Sequence, residues 1–251
     1  GKRTRAIAKR KNGTVLQRTR LFVGEETILH KILFSMTRIL FFLAVVCCLV
    51  ACQKSETFTY AQVETKFGTM KLKLYNSTPK HRDNFIQLAK EGFYDGLLFH
   101  RVIDGFMAQG GDPDSKGAPP GMALGSGGPG YLVDAEIARP HIKGALAAAR
   151  TGGPSNPEKK SSGSQFYIVD GKPQTDAELD QIERQKGIQY NEEQRRLYKE
   201  IGGAPFLDMD YTVYGEVVEG LEVIDKICSV STDRGNRPVE DVTMKVTIIN
   251  D

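Results

Sequence analysis

The chain has 251 residues, 40% of them hydrophobic and 26% charged, enough for one sizeable core or two modest ones. Its 26 Gly and 11 Pro follow no triplet period and the apolar fraction is that of a globular protein, which excludes collagen-like and wholly disordered chains. The net charge of +3 conceals a split. Residues 1–35 carry nine Lys/Arg against Glu25 and Glu26, a net of +7, leaving −4 for 36–251, so the basic excess sits in a leader and lends no support to nucleic-acid binding.

In chain order, the first element is the apolar run from Ile39 to Cys52, preceded by Met36-Thr37-Arg38 and followed by the polar Gln53-Lys54-Ser55-Glu56. Its 14 residues fall short of the ~20 that span a bilayer. A short basic flank, an apolar stretch and a small-residue end describe a secretory signal peptide. Leu49-Val50-Ala51-Cys52 resembles the bacterial lipobox, which implies a lipid on the Cys52 thiol and cleavage just before it. Gly1 is no initiator, so Met36 is the expected start. On this reading 1–35 is an upstream extension, 36–51 the signal peptide, 52–59 a tether and 60–251 the folded domain. The mature chain would have 200 residues and a net charge of −5. Cys47 and Cys48 leave with the signal and Cys52 is lipidated, so Cys228 stands alone and no intramolecular disulfide forms.

Residues 60–75 alternate apolar and polar on both sides of Phe67-Gly68, which predicts a hairpin. Thr78-Pro79 supplies an N-cap and a first-turn proline, and Phe85, Leu88 and Ala89 share one helical face before Gly92. Apolar runs at 97–103, 145–149, 165–169 and 212–218 predict strands, joined by Gly/Pro-rich connections at 110–130 and 151–163. Leu221, Ile224 and Ile227 mark a short helix, and 242–249 alternates again. Short strands with turn-rich links predict an antiparallel barrel or sandwich. Residues 171–203 break the rhythm: Thr175 with Glu178 forms a capping box, Gly187 a stop, Asn191 a second cap and Gly202-Gly203 a second stop. They predict an inserted helical hairpin, with Leu179, Ile182, Leu197 and Ile201 packing its two helices together.

Two short motifs lead nowhere. Gly125 to Gly130 has the spacing of a dinucleotide loop without a βαβ context, and Pro129 removes a backbone N–H that such a loop would donate. His81-Arg82-Asp83 copies a kinase triplet without the asparagine that should come after it. The four histidines are scattered singly, away from cysteine partners.

Residues 99–112, FHRVIDGFMAQGGD, resemble the cyclophilin family of peptidyl-prolyl cis-trans isomerases at every fixed position of its segment. Gly144 to Ala149, Gly163-Ser164-Gln165-Phe166-Tyr167-Ile168, Phe206-Leu207-Asp208 and Val213-Tyr214-Gly215-Glu216-Val217 resemble later family segments in the same order. The resemblance covers roughly 60–250 without the insertion. It implies a mainly β fold, a closed eight-stranded antiparallel barrel capped by two helices. It also implies isomerase activity on X–Pro bonds without cofactor or metal.

By the same resemblance Arg101, Phe106 and Gln109 are the expected catalytic residues. His100, Met107, Ala149, Arg150, Gln165, Tyr167, Phe206, Leu207 and Tyr211 are the expected substrate-binding ones. Four positions depart from the family pattern: Arg150 stands for asparagine, Phe206 for tryptophan, Tyr167 for phenylalanine and Tyr211 for histidine. Loss of the indole N–H at Phe206 weighs against tight cyclosporin binding, while Arg150 and Tyr211 are expected to shift substrate preference. The partners implied are proline-containing polypeptides and, through Cys52, a membrane, with a monomeric protein in the bacterial cell envelope. The alternative, a module that holds proline-bearing segments with little turnover, does not require the Arg101 guanidinium.

Overall fold

The computed structural model describes residues 57–249 together with Phe34, Ser35 and Arg38. The expected signal peptide, the lipidated Cys52 and nearly all of the upstream extension lie outside the described residues. The folded domain is the compact unit that begins at Phe58.

The alternating segments around Phe67 form β1 (Thr59–Thr65) and β2 (Gly68–Leu74), with Thr65 opposite Gly68 and Lys66-Phe67 as the turn. Alternation assigns the faces: Ala61, Val63, Met70, Leu72 and Leu74 turn inward and are fully buried. The first helix, α1 (Pro79–Lys90), begins at the expected proline, but Thr78 makes no side-chain cap; its hydroxyl donates back to the Tyr75 carbonyl at 3.4 Å. Next come β3 (Phe99–Ile103), β4 (Met107–Gly110), β5 (Leu132–Val133), β6 (Ala145–Ala148), β7 (Ser161–Ser162) and β8 (Phe166–Val169). The insertion contributes α2 (Asp176–Lys186) and α3 (Glu192–Glu200), and β9 (Val213–Glu219), α4 (Glu222–Cys228) and β10 (Lys245–Ile249) complete the chain.

Eight strands form one antiparallel sheet in the order β10-β1-β2-β9-β6-β8-β4-β3, and β5 pairs with β7 separately. The expected closure is narrower than a ladder. Edge strands β3 and β10 do not pair along their length; the chain just before each meets in a single bridge, Leu98 with Thr243. Three backbone bonds of 2.9 Å hold it, from Gly96 N to Met244 O, Met244 N to Leu97 O and Phe99 N to Val242 O. A bulge between Phe99 and Arg101 then turns β3 away, and Val102 N donates to Asn236 O instead. The sheet is therefore a curled half-barrel stitched at one point.

The inner face packs against α1 and α4. Phe85, Leu88 and Ala89 of α1 and Ile224, Ile227 and Cys228 of α4 join Phe99, Phe166, Ile168 and Leu146 in one cluster, with Tyr94 and Tyr214 tilted or edge-on to the phenylalanines. Each large apolar side chain buried there contributes about 1.5–3 kcal/mol. Burial also pushes the Cys228 thiol up, which keeps it a protonated core residue. Alternation along β4, β6 and β8 sends a second set outward: Met107, Ala145, Ala147, Tyr167 and Val169 form a smaller cluster with Val213 and Ala204. These strands are covered on both faces.

The insertion leaves and returns at one place, where Lys172 and Gly203 pair in a bridge. Both capping boxes are complete, Thr175 with Glu178 and Asn191 with Gln194, and Gly187 ends α2 in the left-handed conformation at φ +64°. The apolar contact between the helices differs from the expected one. Leu179 is buried against Tyr190 and Tyr198, with Ile182 beside them, whereas Leu197 is half-buried outside this cluster and Ile201 is 39% exposed. Charge completes the join, as Arg195 of α3 reaches Asp180 at 2.6 Å and Asp176 and Glu183 at 3.1 Å.

Candidate active site

The outer face of the sheet places distant parts of the chain in one row. Arg101 of β3 lies opposite Gln109 of β4, Gln109 opposite Tyr167 of β8, and Tyr167 opposite Ala147 of β6. The Asp104-Gly105 turn makes the first pairing possible by folding β4 back on β3. Its Gly105 N–H donates to Asp170 Oδ2 at 2.7 Å, and the Phe106 N–H donates to the Ile103 carbonyl at 3.0 Å.

Above this row lies a cavity of about 120 Å³, lined by Arg101, Phe106, Met107, Gln109, Ala149, Arg150, Tyr167, Leu207 and Tyr211. All nine are among the site residues expected from the sequence. Met107 and Tyr167 form a buried floor, Leu207 arrives on a 3-10 turn at Pro205–Leu207, and Phe106 and Tyr211 stand as half-exposed walls. The size suits one small ring or branched side chain.

Arg101 is held from one side only. Its Nη1 donates to Gln109 Oε1 at 3.4 Å, Gln109 Nε2 donates to Gln165 Oε1 at 3.0 Å, and Gln165 Nε2 donates to the carbonyls of Gly125 and Gly127 at 3.0 and 2.7 Å. The other guanidinium donors meet no acceptor among the described residues, and the Phe106 ring centre is 6.0 Å from Arg101 Cζ. Arg150 is pinned instead: it donates to the carbonyls of Asp210 at 2.7 Å and Thr151 at 3.1 Å and stacks over Tyr211 at 4.6 Å. The glycine loop that lent Gly125 and Gly127 turns its own N–H groups inward to the buried carboxylate of Asp112, which leaves no phosphate cradle.

Three of the expected site residues lie off the cavity. Gln165 stands behind Gln109 and contacts the glycine loop. Phe206 is 52% exposed and leans its ring on Phe106 with centres 5.3 Å apart, on the outer rim. His100, next to Arg101 at the bulge, is 4% exposed and borders an adjoining cavity of about 560 Å³ that it shares with Arg101, Gln109 and Gly121 to Gly125. Neither of its ring nitrogens makes a regular hydrogen bond, and burial lowers its pKa against the pull of the Asp112 carboxylate.

Sequence reasoning missed the groups behind the floor. His141 is fully buried, and its ring stacks on Tyr167 with centres 6.0 Å apart and planes 13° apart. His141 Nε2 lies 3.0 Å from the Tyr167 hydroxyl, and Nδ1 lies 2.8 Å from Asp208. No local spacing signals this set, because its members are separated by 26 and 67 residues.

The curled antiparallel sheet thus offers a ring-sized hollow, floored by Met107 and Tyr167, beside an arginine with donors free among the described residues. The family model described as cyclophilin type peptidyl-prolyl cis-trans isomerase matches residues 60–248. A Staphylococcus haemolyticus protein named as a peptidyl-prolyl cis-trans isomerase is 32% identical over 190 residues, 75% of this chain and 90% of that protein. A Staphylococcus aureus protein of the same name is 34% identical over 184 residues, 73% of this chain and 87% of its own length. Among solved structures, a cyclophilin type peptidyl-prolyl cis-trans isomerase from Cryptosporidium parvum aligns with a TM-score of 0.55 at 24% identity, covering 78% of this chain and 99% of that one. The structure of that protein in the presence of the dipeptide Ala-Pro aligns at 0.53. The chain belongs to the cyclophilin-type peptidyl-prolyl cis-trans isomerases.

Proposed function

We propose that the 120 Å³ cavity receives the proline ring of a polypeptide and that Arg101 drives isomerisation of the preceding bond. Rotation about X–Pro faces a barrier of ~18–20 kcal/mol because planarity delocalises the nitrogen lone pair. At the twisted geometry the lone pair returns to nitrogen, so a donor aimed there stabilises the transition state more than either planar state. The guanidinium is always charged and has donors to spare. Phe106, Met107, Tyr167 and Leu207 would exclude water around the ring, and Gln109 and the Ala149-Arg150 backbone would hold the flanking peptide. The observation that carries this reading is Arg101 on the wall of a hollow floored by Met107 and Tyr167, tethered among the described residues by Gln109 alone. The Ala-Pro dipeptide present with the Cryptosporidium protein fits the same substrate chemistry.

Arg101→Ala is expected to lower kcat/KM on a proline-containing peptide by roughly ten- to a hundredfold, the loss of one charge-assisted bond of about 1.5–3 kcal/mol. Arg101→Lys should restore little of it, because an ammonium lacks the planar fork. Equal rates for Arg101→Ala and the unaltered protein would defeat the assignment. They would favour instead a module that binds proline segments without turnover.

The substrates proposed are proline-bearing segments of cell-envelope proteins, met by a monomer anchored through a lipid on Cys52. What supports this is the apolar run ending in Leu49-Val50-Ala51-Cys52 and the six residues from Gln53 to Phe58 that link it to β1. Six extended residues reach at most about 22 Å, which would hold the sheet close to the bilayer. Cys52→Ser is expected to move the protein from the membrane to the soluble fraction; unchanged fractionation would exclude the anchor.

A further inference from the structure

The buried carboxylate of Asp208 joins the inserted helices to the floor of the cavity. We infer that the 171–203 insertion is a positioning device for the isomerase site: Tyr190 and Tyr198, through Asp208 and His141, fix the ring of Tyr167. This rests on the reading of the cavity as the proline site.

Asp208 is 3% exposed and accepts four hydrogen bonds. Its Oδ1 takes the backbone N–H of His141 at 2.7 Å and lies 2.8 Å from His141 Nδ1. Its Oδ2 takes the hydroxyls of Tyr190 and Tyr198, each at 2.7 Å. Burial raises the pKa of both phenols, which keeps their protons available to donate. A carboxylate has no proton to offer, so the hydrogen between Asp208 and the imidazole sits on Nδ1. On its other side the imidazole places Nε2 3.0 Å from the Tyr167 hydroxyl, within hydrogen-bond reach, so that hydroxyl is engaged from behind the ring.

The consequence falls on the pocket. Tyr167 stands where the family pattern has phenylalanine, and a phenol hydroxyl turned into the hollow would wet the place that takes an apolar ring. His141 takes that hydroxyl from behind, and Tyr211 meets the same ring edge-on at 6.0 Å and 82°. Only the apolar face of Tyr167 is presented. Half of the donors that keep Asp208 satisfied come from the insertion, because Tyr190 lies just beyond α2 and Tyr198 belongs to α3. Without them the carboxylate is left half-satisfied in a dry site, and the imidazole and phenol aligned on it lose their reference.

The test is Tyr190→Phe together with Tyr198→Phe in the full chain, which removes two hydroxyls and keeps both rings. Isomerisation of a proline-containing tetrapeptide is measured with kcat and KM resolved, beside Arg101→Ala. A loosened floor weakens hold on the proline in planar and twisted states alike, so KM should rise about two- to tenfold while kcat stays within about twofold. A change that only destabilises the fold lowers the active fraction, and hence kcat, and leaves KM where it was. In a Tyr167→Phe background the same pair of replacements should raise KM by less than about twofold, since the hydroxyl at the far end is gone. If the double variant does not accumulate, Tyr190→Phe alone gives the same readout, because it removes one donor of the four. An unchanged KM with Arg101→Ala inactive overturns the inference and leaves the site reading intact; so do KM effects that multiply fully with Tyr167→Phe. An active Arg101→Ala overturns the site reading and this inference with it.

Discussion

His100 and Arg101 are adjacent in β3 and border one cavity together, yet they differ in burial and in partners. Arg101 borders the hollow with donors to spare, whereas His100 is sealed beneath the glycine loop with no regular partner for either nitrogen. A histidine buried in its neutral form makes stability depend on pH. Burial holds its pKa below the ordinary imidazole value of about 6.5. Between the lowered value and 6.5 the unfolded chain binds more protons than the folded one, so stability falls as pH falls through that window. His81 acts in the same direction, with burial outweighing its contact with Glu136. The unfolding temperature is therefore expected to drop between about pH 7 and 5, and His100→Phe should make that drop shallower. Thermal unfolding of both proteins across this range decides it, and parallel profiles would remove His100 as the cause. Residue types alone show which side chains are able to donate or titrate. Whether His100 or Arg101 faces the hollow depends on the bulge at Phe99–Arg101, which periodicity does not reveal.

The β3–β4 hairpin is the element on which the site depends, and its turn is over-determined. Gly105 has φ +65°, its N–H is held by Asp170, and Lys143 Nζ holds the other oxygen of that carboxylate at 2.9 Å. The Phe106 carbonyl accepts from Asp170 and Gly171 N–H at 3.0 and 3.1 Å, so the turn is clamped to the end of β8. A methyl group at Gly105 would lie 1.9 Å from Lys172 Cε, a flexible chain able to move, but the left-handed backbone would remain strained. Gly105→Ala is expected to cost about 1–2 kcal/mol in urea unfolding. It should also lower isomerase activity, since Arg101 and Gln109 keep their register only through this turn. Full stability and activity in that variant would show the turn to be dispensable. Elements of this kind are legible where local chemistry specifies them: the Phe67 hairpin, α1 after Pro79, α4, and both caps of the insertion. The two-residue strands β5 and β7 are not, because so short a pairing leaves no period to read. The tyrosine contact between α2 and α3 is also illegible, because it is secured by a carboxylate from outside the insertion.

Across the whole molecule the row Arg101, Gln109, Tyr167 and Ala147 crosses four strands, and the nine cavity residues come from segments between 101 and 211. Ordered motifs carried the family and the mainly antiparallel fold, and the nine residues that meet at the cavity were expected only through that resemblance. The stitched rather than laddered closure, the burial of His100, and the path from Tyr190 and Tyr198 through Asp208 and His141 to Tyr167 were decided by tertiary structure alone. Local sequence determined which segments become strands and helices, since hydrophobic period, caps and turns act over a few residues. Strand register and the pairing of buried polar groups depend on side chains far apart in the chain, and only the folded packing brings those into contact.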